Sequence, residues 1–200
     1  MVVYFKKDIF NFIKNKEFLF KILISSIPVL LIGFFLVETN LIEKIRNIKI
    51  IAWTTLLFGI LLFFSDKFKL EKSIDNNFNY KSAIFIGFFQ VLSLIPGVSR
   101  SGIAITAARF LNYKRVDSAK ISFLLSIPTL GAVSIFGLKN IISEENLNFS
   151  IFNLLLIFMS FIFSLITIKY FLKYIKKFSL NVFVVYRIFL GLILLGILYL

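Results

Sequence analysis

The sequence predicts an all-α integral membrane protein with about five transmembrane helices and one re-entrant helical hairpin. Three observations carry this. Of the 200 residues, 59% are hydrophobic, against roughly 45–50% apolar residues in soluble domains, and the mean hydropathy is +0.94. Apolar runs of membrane-crossing length recur between short basic segments. One further apolar stretch is too short to cross, and it ends in a glycine-bracketed turn that holds an arginine, Gly97-Val98-Ser99-Arg100-Ser101-Gly102.

In chain order, residues 1–17 form a short basic lead-in with Lys6, Lys7, Lys14 and Lys16. A first span covers about 18–37, near the roughly 20 residues a bilayer core requires; Lys21 snorkels near its start and Pro28 is expected to kink it. A connector with Glu43, Lys44, Arg46 and Lys49 leads to a second span at about 48–65, which carries Trp53 toward an interface. The stretch 66–81 is polar and Asn-rich and reads as a loop. Residues 82–95 are apolar but few, and Pro96-Gly97 ends them. A run of that length suits a re-entrant or buried segment. With a second short helix at 103–111, the stretch 82–111 reads as a hairpin turning at 96–102. Irregular backbone at that depth requires burial in protein or a wet cavity. Further spans are expected at about 119–138, with Pro128 and Gly131 breaking its regularity, at 151–170 and at 182–199, with a loop at 139–150 carrying Glu144 and Glu145. Residues 1–200 are read as a single polytopic membrane domain.

The formal net charge is +13. Its Lys and Arg concentrate in 1–17, 66–81, 112–120 and 169–181, all assigned to the cytoplasm by the positive-inside rule. The hairpin then enters from the cytoplasmic face with Arg100 at its deep tip. Basic connecting loops facing anionic headgroups account for the charge without nucleic acid. There is no Cys and no His, which removes thiolate chemistry, phosphohistidine intermediates, imidazole bases and His metal ligands. No cleavable signal is read at the N-terminus.

The turn is built as an intramembrane anion site. Backbone N–H groups of a Gly-rich turn and a helix start near Ile103 can converge on one oxyanion, where the helix dipole favours negative charge. Arg100 supplies a planar fork suited to phosphate, and an intramembrane arginine is a functional hypothesis by default. Ser99 and Ser101 serve as donors; nothing near them in sequence is a base that would make either a nucleophile. Gly97 and Gly102 let the backbone approach the ligand. Thr106 has two readings of equal weight, back-bonding to a carbonyl or a site hydroxyl. Gln90 likewise suits a helix-to-helix hydrogen bond or a ligand contact. Arg187 is read as snorkelling, and Arg109, Lys114 and Arg115 as marking the cytoplasmic interface. All the Asp and Glu are read as loop or lead-in residues, so no metal ligand is assigned.

The runs Tyr80-Lys-Ser-Ala83, Ile86-Gly87, Gly87-Phe-Phe-Gln90, Leu94-Ile-Pro-Gly-Val-Ser-Arg-Ser-Gly102, Thr106-Ala-Ala-Arg109-Phe110 and Ser122-Phe-Leu-Leu-Ser-Ile-Pro128 with Gly131-Ala132 resemble the undecaprenyl-diphosphate phosphatase family of the bacitracin-resistance type. The resemblance extends over the whole chain as the family's later portion. It implies an inner-membrane hydrolase that converts undecaprenyl diphosphate to undecaprenyl phosphate, recycling the lipid carrier for peptidoglycan synthesis. It also implies two inverted repeats, each with a re-entrant hairpin, this chain supplying the second. By similarity Arg100 and its serine neighbours hold the diphosphate. The family's first hairpin, with a Glu-containing stretch, Pro-x-Ser-Ser and a His, has no counterpart here, and Ala104 stands where the family usually has Thr. The divalent cation, Mg or Ca, implied by the family therefore has no ligands in this chain, which is expected to be truncated at its N-terminus. The rival readings are a catalytically incompetent binder of lipid phosphate and a small transporter. The expected partners are a polyprenyl diphosphate and the membrane, with a homo-oligomer left open.

Overall fold

The computed structural model describes residues 3–6, 16–143 and 151–199. Among them every long element is helical. Helix α1 spans Lys16–Glu38, a short α2 Leu41–Ile45 and α3 Ile48–Asp66. After a short α4 at Ile74–Asn77, α5 runs Tyr80–Val91 and continues as a 3₁₀ turn through Leu94. The chain bends at 95–99, and α6 returns as Arg100–Phe110. Helices α7, Arg115–Ser143, α8, Ile151–Lys177, and α9, Asn181–Tyr199, complete the bundle.

Five helices, α1, α3, α7, α8 and α9, are long and apolar enough to cross a membrane. Helices α5 and α6 are not. At 12 and 11 residues and 1.5 Å per residue they reach only about 18 Å, against about 30 Å of hydrocarbon. They form the expected hairpin, and its two ends stay together. Tyr113, just past α6, pairs with Lys72 in an isolated bridge and donates its hydroxyl to the Asn77 carbonyl at 2.8 Å, just before α5. Burial pushes the Tyr113 phenol above its ordinary range, with Asp117 adding to the effect.

The prolines do not interrupt their helices. α1 runs through Pro28 and α7 through Pro128, where a break in regularity at Pro128 and Gly131 was expected. Each ring removes one donor, which membrane helices tolerate when hydroxyls and local adjustment serve the freed groups. Hydroxyls flank both sites: Ser26 donates to the Ile22 carbonyl at 3.0 Å and Thr129 to that of Leu125 at 3.1 Å. The loop expected from 139 begins later, since α7 continues to Ser143; residues 144–150 lie outside the described residues. The lead-in is described only in part, with a turn that buries Phe5 in the core.

Two close helix pairs bracket the hairpin. Helix α1 crosses α5 where Ser25 donates to the Ala83 carbonyl at 2.7 Å, and a Cβ on Gly87 would lie 2.3 Å from the Ser25 carbonyl oxygen. Helix α3 packs antiparallel on α9: a Cβ on Gly191 would lie 2.9 Å from that of Leu56, and one on Gly59 3.1 Å from that of Arg187. Small residues permit these approaches, and dispersion and interhelical hydrogen bonds hold them. The hairpin's return arm lies at the centre. Every residue of α6 from Ile103 to Arg109 is buried, and Ala104, Ala107 and Ala108 join Ala83, Ile86, Ile121 and Leu125 in the main core. Helix α8 is the opposite case, fully burying only Ile168 and Ile175, with Phe171, Leu172 and Tyr174 partly buried against the core and most of the remainder exposed.

Three basic segments and the start of α1 collect at one end. Leu180 donates its N–H to Asp66 at 3.1 Å, Phe18 stacks on Phe78 at 5.3 Å, and Lys21 sits 5.3 Å from the Tyr80 ring. The hairpin therefore opens on the Lys-rich side of the bundle, with its tip inside.

Candidate functional site

The tip is fixed through its carbonyls. Thr54 donates to Pro96 at 2.6 Å and Thr55 to Gly97 at 3.3 Å. Arg187 Nη2 donates to Gly97 at 2.8 Å and Nη1 to Val98 at 2.9 Å. Those acceptors are spoken for, so the turn's remaining polarity is donor in character. Gly97 has φ +90, and a Cβ there would meet Thr54 Oγ1 at 2.2 Å and the Ile51 carbonyl oxygen at 2.7 Å. Only glycine fits that contact. Thr54 lies about 9 Å from the start of α3 and about 18 Å from Asp66 by helical rise, so the tip is deep.

Ser99 adopts φ 69, unusual for a residue with a side chain. It caps α6 twice: its carbonyl accepts from Ile103 N–H at 3.0 Å and its Oγ from Gly102 N–H at 3.3 Å. The first N–H groups of the helix, at Arg100 and Ser101, have no acceptor within the helix. Ser99 and Ser101 are exposed. With Gly97, Gly102, Thr55 and Arg187 they line a groove of about 290 Å³. Arg100 does not line this groove. It is half-buried and its Nη1 donates to Thr129 Oγ1 at 3.2 Å; among the described residues no ion pair neutralises it. Ser99, Ser101, Gly97 and Gly102 thus share one groove, and Arg100, between the two serines in the chain, is not among its lining residues.

The other candidates sit elsewhere. Thr106 is buried and donates to the Gly102 carbonyl at 2.8 Å, the back-bonding alternative. Gln90 is 1% exposed, and its Oε1 has no hydrogen-bond partner among the described residues.

Two arginines and one aspartate differ from the sequence reading. Arg187 does not snorkel. Its guanidinium is buried against the tip, because α3–α9 packing puts it beside two carbonyls that lack other strong donors. Asp66 is no loop residue: it ends α3 and is buried, receiving Arg115 Nε at 2.7 Å and Nη2 at 3.0 Å and Arg109 Nε at 3.5 Å. Arg109 is fully buried rather than a surface marker. It donates to the carbonyls of Lys69 at 3.2 Å and Asp66 at 3.1 Å, and to those of Tyr113 and Phe68. A larger cavity of about 600 Å³ opens beside this cluster. Its only deeply buried charge is Asp66, already neutralised, so the chemistry is sought at the tip.

A divalent cation would need oxygen or nitrogen ligands that carry or share negative charge. Among the described residues no group of three or more His, Cys, Asp or Glu could hold one. At the tip there are hydroxyls, N–H groups and guanidinium ions. That donor set fits an anion and does not fit a metal.

Comparison with known proteins agrees with this architecture. The family model described as Bacitracin resistance protein BacA matches residues 1–193. The undecaprenyl-diphosphatase of Pelagibacter ubique is 48% identical over 201 residues, covering 100% of this chain and 78% of that protein. Those of Saccharophagus degradans and Jannaschia sp. are 38% and 36% identical, over 96% and 90% of this chain and 76% and 67% of theirs. With five membrane-crossing helices and this match over nearly its full length, the chain belongs to the BacA family of multi-pass proteins of the bacterial inner membrane.

Proposed function

We propose that the chain acts, as one polytopic domain, on undecaprenyl diphosphate, hydrolysing it to undecaprenyl phosphate and inorganic phosphate. In the cell this recycles the lipid carrier for peptidoglycan synthesis, and by removing the diphosphate form it confers resistance to bacitracin. The relatives' shared name supports the activity. The observation that carries it to these residues is the hairpin tip, where the carbonyls of Pro96, Gly97 and Val98 are engaged from α3 or α9 while hydroxyls, helix-start N–H groups and an unneutralised Arg100 remain.

In this reading Arg100 places its charge against phosphate oxygens, and Ser99 and Ser101 donate to them. The α6 start stabilises charge that grows as water adds to the terminal phosphorus and the bridging oxygen leaves with the lipid phosphate. Gly97 lets the turn press on α3 and Gly102 leaves room for the Arg187 guanidinium, Thr106 holds the first turn of α6, and Gln90 presents its oxygen within the hairpin core. A second reading, a protein that binds lipid phosphate without cleaving it, is favoured by one observation: among the described residues no carboxylate lines the groove at the tip to serve as base.

Phosphate release from undecaprenyl diphosphate by the purified chain, with Mg²⁺ or Ca²⁺, tests the choice. The expected result is release that Arg100→Ala lowers by about 10²–10³, the range for loss of one charge-stabilising donor. No release, with undecaprenyl diphosphate still bound, would establish the binder.

A further inference from the structure

We propose that the groove beside the tip is the binding site for the head-proximal isoprenoid units of a polyprenyl phosphate. This rests on the polyprenyl reading above and adds where the hydrocarbon lies. The groove has a polar patch at the tip and apolar walls that run mainly from it toward the hairpin base, with Leu190 one turn beyond it. Its head is formed by Ser99, Ser101 and the Arg187 guanidinium, and its walls by Leu62 of α3, Ile105 of α6, Phe171 of α8, and Leu180, Phe183 and Leu190 in and before α9. The gradient has a direction. Arg187 meets the tip beside Thr55, whereas Leu180 lies at the hairpin base, where its N–H bonds Asp66.

The occupant follows from complementarity. The head carries positive charge and donors, and no carboxylate among its lining residues, so it takes an anion. The walls carry no charge below the head and include three rings, Phe171 and Phe183, packed edge to face at 5.1 Å, and Tyr186. Apart from the Tyr186 hydroxyl, such a wall offers hydrocarbon contact. At about 290 Å³ the groove stands at the lower end of small-molecule sites, ~300–1,000 Å³. It therefore seats the first units of a long chain and releases the remainder to the bilayer.

The test is photo-crosslinking of the full chain in nanodiscs. The probe is a polyprenyl monophosphate with a diazirine on its second isoprene unit, and labelled residues are mapped by mass spectrometry. Saturable labelling of α3 near Leu62, of Phe171 and of 180–190 is expected, competed by undecaprenyl phosphate and not by phosphatidylglycerol. Leu190→Trp, which fills the groove from a half-buried position, should cut labelling at least about tenfold. Its neighbour Phe189→Trp, 64% exposed on the outer face, should leave labelling within about twofold; Phe183→Ala gives a second groove variant that removes bulk instead of adding it. Labelling outside the groove, competition by phosphatidylglycerol, or equal effects of the two tryptophans would overturn the proposal. Monophosphate labelling needs no cleavage, so a chain that labels here yet releases no phosphate overturns the phosphatase reading and keeps the groove.

Discussion

The two ends of the hairpin both rely on arginine, and they use it in opposite ways. At the base, Arg109 is fully buried and meets four backbone carbonyls and a carboxylate. Asp66 is enclosed by two guanidinium groups and an N–H. Both Arg109 Nη groups are bonded there and its Nε, without a hydrogen bond of its own, faces Asp66 as an ion pair, so the charge is answered from within the fold. At the tip, Arg100 has one neutral partner, and Ser101 Oγ stands exposed in a groove. A buried charge answered by a countercharge and carbonyls suits scaffold, whereas a charge at the deep end of the hairpin with capacity to spare suits an anion. Arg187 stands between the two cases, since it braces the turn and also faces the groove.

Stability and binding should therefore separate across the molecule. The largest effect is expected from Asp66→Ala, which strands Arg109 without its countercharge. Removing one partner of a buried pair costs ~3–5 kcal/mol. Thermal unfolding in detergent should show that loss, and phosphate release should fall only with the folded fraction. Arg115→Ala should cost less, because the Arg115 side chain is 25% exposed and Asp66 retains Arg109. A drop in activity per folded molecule in either variant would break the division between scaffold and site. Arg187→Gln should breach the division by design. It exchanges charge-assisted hydrogen bonds to Gly97 and Val98 for neutral ones, about 1.5–3 kcal/mol, and it also weakens the groove's positive head. Lower unfolding temperature together with weaker binding of undecaprenyl phosphate is the expected pair of results, with Arg187→Lys restoring binding in part. Loss of stability alone would return Arg187 to the scaffold.

The spans and the hairpin were legible because hydropathy and length act locally: 12 apolar residues cannot cross what 19 can. The tip was legible because glycine, serine and arginine together at depth have few structural uses. Asp66 and Arg187 were not legible, because their roles arise from pairing between distant helices. Arg187 bonds a carbonyl 89 residues away, and Asp66 receives an N–H 114 residues away. Membrane helices carry little amphipathic signal to announce such pairing, since lipid and protein faces are both apolar. One signal was available in outline: Gly191 lies one turn beyond Arg187, and the glycine facing that arginine is Gly59. Small residues on the face of an intramembrane arginine mark it as packed inward rather than reaching for water.

The smallest effect is the sharpest test of the tip itself, because Ser99 and Ser101 differ by one structural duty. Ser99 Oγ accepts from Gly102 N–H, so Ser99→Ala removes a helix cap, worth ~0.5–2 kcal/mol, from a residue already held at positive φ. Ser101 Oγ has no such duty. Its carbonyl accepts from Ser122, and that contact survives the loss of the hydroxyl. Ser101→Ala should then leave unfolding unchanged and weaken undecaprenyl phosphate binding by ~0.5–1.5 kcal/mol, the worth of one hydrogen bond. Isothermal titration in detergent, beside thermal unfolding, resolves both quantities. If the two variants lose stability equally and neither loses affinity, the hydroxyls belong to the fold, and Arg100 and the helix start must hold the phosphate alone.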